Sequence, residues 1–247
     1  MKKQLAWVAF GLVFYFLFLL IKLPASQVLS RLSLPPDVDL QGVSGTIWQG
    51  RAIAASVHGL PLQNVSWSLA VLPLVLGHIS ADVQAGNMRN SDEVSFSGGL
   101  NLSEGQIQLD QVQAYLPTNL MVSLLPLPFP VKAEGRFKIQ FDELEYTDAC
   151  QTLVGSGQWL NAKVAGLNGM IDLGVFNADM TCTDNNVVVT VKEPNRFGLS
   201  AEAVIQANLK YAITGRFKPE SDLPEEVHQA AQFFGNKDGQ GYYSIKL

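Results

Sequence analysis

Ser95-Phe96-Ser97-Gly98-Gly99-Leu100-Asn101-Leu102, then Ser103-Glu104-Gly105, then Gln106-Ile107-Gln108-Leu109-Asp110-Gln111-Val112 is the stretch that decides the fold. Apolar and polar residues alternate on both sides of a Ser-Glu-Gly turn. A period of two is the mark of a strand with one face packed and the other wet. The same alternation recurs at 50–58, 131–141, 157–164, 187–192 and 201–217. Asn90-Ser91-Asp92 and Asp184-Asn185-Asn186 supply further turns. Strand follows strand without long helical insertions, which predicts antiparallel meanders. A glycine opens several strands, as in Ala133-Glu134-Gly135-Arg136-Phe137 and Ile213-Thr214-Gly215-Arg216-Phe217. Glycine there relieves crowding where a sheet bends, so the sheet is expected to curve.

Helices are few. Residues 67–77 mix a strand end with a short turn or helix closed by Gly77. Residues 222–235 read as a helix capped by Asp222, with Pro224 just inside and Val227, Ala230, Ala231 and Phe234 forming one apolar stripe. Residues 25–34 read as a short juxtamembrane helix ended by Pro35-Pro36.

Ahead of the sheet stands a different kind of segment. From Leu5 to Ile21 every residue is apolar or aromatic except Gly11, with Lys2 and Lys3 before the run and Lys22 after it. About 20 apolar residues suffice to cross a bilayer as a helix that satisfies its own backbone. The run exceeds the apolar core of a cleaved signal peptide, and Leu23-Pro24-Ala25 is a poor cleavage site. An uncleaved single-pass anchor is therefore expected. Lys2, Lys3 and the α-amino group place its N-terminus in the cytoplasm and the remainder outside. The expected organisation is a stub and anchor over 1–23, a linker over 24–41 and a β-rich domain over 42–247.

Charge narrows the partners. The 247 residues carry 17 basic and 22 acidic side chains, net −5. Setting aside Lys2, Lys3 and Lys22 leaves 14 basic against 22 acidic, net −8. An acidic domain of this kind does not displace counterions from nucleic acid, nor does it form a polybasic membrane patch. Cys150 and Cys182 lie beyond the anchor, where oxidising conditions favour a structural disulfide over metal ligation or a redox pair. His58, His78 and His228 are scattered singly. Gly155-Ser156-Gly157 is neither a nucleophile elbow nor a dinucleotide fingerprint. No catalytic residue, metal site or cofactor is assigned, and an enzyme is not expected.

Four motifs go further. Gly42-Val43-Ser44-Gly45-Thr46-Ile47-Trp48-Gln49-Gly50-Arg51-Ala52 resembles the opening motif of the type II secretion system protein N family. Trp67, Pro73, Leu76 and Gly77 resemble its Trp-to-Gly motif. The segment from Cys150 through Gly157-Gln158-Trp159-Leu160 to Cys182 is similar to its cysteine-bracketed stretch. Phe233-Phe234-Gly235 with Asp238-Gly239-Gln240-Gly241-Tyr242-Tyr243 resembles its C-terminal signature, departing at Gln240, where the family tends to continue Gly-Arg. The resemblance implies an accessory, non-enzymatic subunit of the machine that exports folded proteins from a Gram-negative periplasm. Its implied partners are other components of the inner-membrane platform, the secretin and membrane lipids. A looser likeness to AsmA-type proteins implies a lipid-holding groove as the alternative. Trp48, Gly50, Arg51, Trp67, Gly77 and Trp159 are the candidate motif and interaction residues. Arg51 stands out among them, because a guanidinium suits an acidic partner or a headgroup.

Overall fold

The turn chemistry builds one long meander. A computed structural model describes residues 2–31, 35–124, 132–208 and 210–246. Helix α1 (Lys2–Ile21) and α2 (Ala25–Leu29) lead into β1 (Val38–Gln41), β2 (Ser44–Gly45), β3 (Gln49–Val57) and β4 (Leu60–Leu69). Then come α3 (Val71–Val75), β5 (Ile79–Ala85), β6 (Ser95–Ser103), β7 (Gln106–Pro117) and α4 (Thr118–Leu124). The chain continues through β8 (Ala133–Tyr146), β9 (Cys150–Gly166), β10 (Gly169–Thr183), β11 (Asn186–Lys192), β12 (Ser200–Ile205) and β13 (Tyr211–Phe217). It ends with α5 (Glu225–Ala231), a 3-10 turn and β14 (Tyr243–Lys246).

All strands join a single 14-stranded sheet in nearly sequential order, β1 beside β3 at one edge and β14 at the other, with β2 also on β3. Every pairing is antiparallel. The edges do not meet, so the sheet stays open. Register shifts mark bulges in the β6–β7, β8–β9 and β9–β10 pairs. Each bulge bends its strand and adds local twist, the source of the curvature that the glycines announced.

Because the turns alternate ends, the sheet has two unlike rims. The β3–β4, β9–β10, β7–β8 and β13–β14 connections, with α4 and α5, share one rim. The opposite rim holds the short β6–β7 and β10–β11 turns, α3, and the junction with α1. Ile79 of β5 pairs with Leu102, and Ile107 of β7 with Tyr146, which fixes that arrangement.

Burial is split into three clusters rather than one. Ala52, Ala55, Val65 and Ala85 form the first; Ala162, Ile171, Leu173, Leu223 and Val227 the second; Phe217, Ala231 and Tyr243 the third. Helix α5 closes the second and third clusters against the sheet.

Several expectations need correcting. Residues 201–217 form two strands, β12 and β13, with a reversal between them, not one. Strand β10 lies outside the expected strand segments and carries no single alternation: Ile171 and Leu173 face inward before the bulge at Gly174, and Phe176, Ala178 and Met180 after it. Asp222 does not cap α5. It accepts from the Arg196 guanidinium, and the N-cap position falls to Pro224 with no side-chain bond. Of the juxtamembrane helix, Ala25–Leu29 is observed, while residues 32–34 lie outside the described ones. Among the described residues no helix is long and apolar enough to cross a membrane.

Candidate functional site

The motif residues gather mostly at one corner, where the open end of the β3–β4 hairpin meets α1. The last carbonyls of any helix lack intrahelical donors. Here the Trp48 indole N–H supplies one, donating to the Leu20 carbonyl at 2.7 Å. Ile47 N–H donates to Leu23 O at 3.1 Å, and Pro24 bridges to Thr46. The chain is thereby bonded to the sheet on both sides of Lys22. Trp67 donates its indole N–H to Ile47 O at 3.1 Å and packs against the first core cluster.

Gly50 pairs directly with Trp67 across the two strands. A Cβ built at Gly50 would lie 2.2 Å from Trp67 Cζ2 and 2.9 Å from Thr46 O, so only glycine lets the indole lie flat over the strand. Arg51, next along β3, is exposed, and among the described residues no ion pair or side-chain hydrogen bond engages it. Gly77 ends α3 with φ +86, the left-handed conformation that glycine adopts without cost.

Trp159 stands apart from that corner. Register places Phe137, Trp159 and Phe176 in one cross-strand row over β8, β9 and β10. Their rings stack at 5.5 Å between centroids on each side of the indole. The indole N–H donates to the buried Thr118 hydroxyl of α4 at 2.8 Å. The neighbouring row, Ile139, Gly157, Ala178 and Val191, is built of smaller side chains. The two rows line an open apolar trough of about 470 Å³.

Next to the trough, Arg136 is a cation surrounded chiefly by neutral groups, and the sequence reading did not single it out. Its guanidinium donates to Met88 O at 2.8 Å and Ser95 Oγ at 3.1 Å, and lies 4.2 Å over the Tyr115 ring. Burial lowers its pKa, opposed by Tyr115 and Asp92. The signal was present in the sequence, since Arg136 follows the strand-opening Gly135, but a lone arginine in an alternating strand reads as solvated. Arg196 is held the other way: its bond to Asp222, with Glu220 close by, raises its pKa. Cys150 and Cys182 are bonded, joining the start of β9 to the end of β10 with Cα atoms 5.7 Å apart. Among the described residues no group of three or more His, Cys, Asp or Glu side chains is placed to hold a metal ion.

A single-layer antiparallel sheet, stapled by one disulfide and tied by a tryptophan to an apolar N-terminal helix, defines a class of open-sheet protein. The particular family is given by comparison. The signature described as type II secretion system (T2SS), protein N, matches residues 36–246, and the chain belongs to that family. It is similar to proteins named type II secretion system protein N from several organisms, three of them along nearly the whole chain. The one from Vibrio cholerae is 29% identical, covering 96% of this chain and 95% of the relative. The one from Aeromonas hydrophila is 28% identical over 100% and 98%. The one from Klebsiella pneumoniae is 26% identical over 98% and 94%. No solved structure matches the chain. The likeness to AsmA-type proteins gains no support from these comparisons.

Proposed function

We propose that the chain is an accessory, non-enzymatic subunit of a type II secretion machine, held to the inner membrane by α1 with its sheet domain in the periplasm. The family match over residues 36–246 carries this reading. The apolar side chains of α1 from Phe10 to Ile21 support the tether: apart from Gly11 they are all apolar, and all are exposed. Residues 1–23 then form the stub and anchor, 24–41 the linker and 42–247 the periplasmic unit.

The subunit works by presenting surfaces to other secretion components. Among the described residues, strands β1 and β14 each pair on one side only, leaving a row of backbone donors and acceptors that a partner strand can extend. Arg51 offers an exposed guanidinium close to the membrane junction, suited to a carboxylate on the platform or to a lipid phosphate. The test is deletion of the gene in its host, with exported enzymes assayed in the culture medium. Export should fall and return when the full chain is supplied. Unchanged export overturns the proposal.

A further inference from the structure

Among the described residues outside α1, the α3 connection carries the densest run of exposed apolar side chains. Val71, Leu72, Val75 and Leu76 are 53%, 73%, 78% and 68% exposed, and residues 70–79 contain no Asp, Glu, Lys or Arg. A helix that is apolar all round normally lies within a core or a membrane. This one does neither within the folded chain. Its position explains why. Leu69 N–H donates to Trp48 O at 2.7 Å, and the Trp48 indole donates to Leu20 O at 2.7 Å. Two hydrogen-bonded steps therefore link Leu69, two residues before α3, through Trp48 to the last turn of α1. Whatever medium receives the exposed apolar side chains of α1 extends towards α3 as well.

We propose that α3 is a second membrane foot, seated in the interface of the same bilayer that receives α1. It would hold the sheet in a set orientation over the membrane instead of leaving it to swing on the linker. The inference rests on α1 as the anchor. Two features favour lipid over a protein partner. The protrusion follows the strand end that Trp48 links to the last turn of α1, and it is a short knob without Asp, Glu, Lys or Arg, lacking the broad, polar-rimmed surface that a stable protein interface needs. Placing these side chains at the headgroup–acyl boundary removes their apolar surface from water.

The experiment uses the full chain in phosphatidylcholine–phosphatidylglycerol vesicles. Single cysteines are labelled with an environment-sensitive fluorophore; the native pair is bonded and does not react. Leu72→Cys and Val75→Cys report on α3, Phe14→Cys on α1, and Leu167→Cys on the opposite rim. Lipids spin-labelled near the headgroup should remove most of the α3 emission and leave Leu167→Cys unaffected. Quenching at Phe14→Cys but not at α3 overturns the foot and leaves the anchor standing. No quenching at Phe14→Cys, with lipids labelled at any depth, overturns both. Equal quenching at Leu167→Cys means that the whole sheet lies on the membrane, which also overturns it. A shift in α3 emission that needs added secretion components, without lipid quenching, replaces lipid with a protein partner.

Discussion

Gly50 has no room for a side chain, whereas Gly157 has a neighbour able to move. At Gly50 the obstacles are the Trp67 ring and a backbone carbonyl; at Gly157 the nearest atom is the terminal methyl of Met180, 2.8 Å from a built Cβ. Gly50→Ala should therefore cost about 1–3 kcal/mol of stability, the usual toll of overpacking. Gly157→Ala should cost less than about 1 kcal/mol, since the lost freedom of the unfolded chain offsets the small rearrangement. Denaturant midpoints of the two variants check the contrast. A second expectation concerns Asp238, whose Oδ1 accepts from Gln240 N–H and Tyr242 N–H at 2.8 and 2.9 Å. The backbone bond from Tyr242, then that from Gln240, lowers its pKa. A depressed carboxylate contributes stability above its unfolded pKa, near 3.9, that is lost as pH falls through the lower folded value. Protection of the Gln240 and Tyr242 amides, taken relative to the intrinsic exchange rate at each pH, should fall on acidification through that range in the wild type and already be low at neutral pH in Asp238→Ala. If the two behave alike, the Asp238 bonds do not order the turn.

At the scale of elements, the β9–β10 hairpin is the longest and the one that carries the disulfide. Cys150 and Cys182 close a loop with a sequence separation of 32. Losing such a bond costs about 2–5 kcal/mol in a secreted domain. Cys150→Ser with Cys182→Ser should lower the melting temperature, as should reductant on the wild type; equal melting in all three cases refutes it. The same hairpin shows what could be read from sequence. The turns at 103–105 and 184–186 and the bends at Gly98 and Gly135 were legible because turn chemistry is local, whereas Gly215 lies near the end of β13 and not at its opening. Strand β10 was not, because the bulge at Gly174 moves its inward side chains from odd to even positions and erases a single period. The two-strand reversal within 201–217 was missed because both halves alternate, and alternation says nothing about direction. The cap on α5 was misassigned for a long-range reason: Asp222 is taken by Arg196, 26 residues earlier. The candidate residues divide along the same line. Gly50 and Trp67 are recognisable as a motif, but their pairing needs the register, and the stacking of Trp159 between Phe137 and Phe176 needs three strands at once.

The whole molecule is a sheet in which each strand pairs only with its neighbours, and its buried residues fall into separate clusters. That makes it closer to a repeat array than to a globule with one core. Stability in such arrays is a sum of local terms and nearest-neighbour terms, so distant regions open independently. Strands β3–β5 are held by the cluster around Ala52 and by the tryptophan corner. Strands β9–β11 depend on the cluster around Ala162, on the aromatic row and on the disulfide. Removing the disulfide should then strip hydrogen-exchange protection from residues 150–192 and leave the protection of 49–85 as it was. Exchange measured peptide by peptide on the full chain, with and without Cys150→Ser and Cys182→Ser, decides it. A uniform loss would mean that the open sheet transmits strain along its whole width and unfolds as one unit. A loss confined to the hairpin would let the partner-facing edges loosen or order separately from the membrane corner, which suits a subunit that holds a fixed foot while its far strands engage other components.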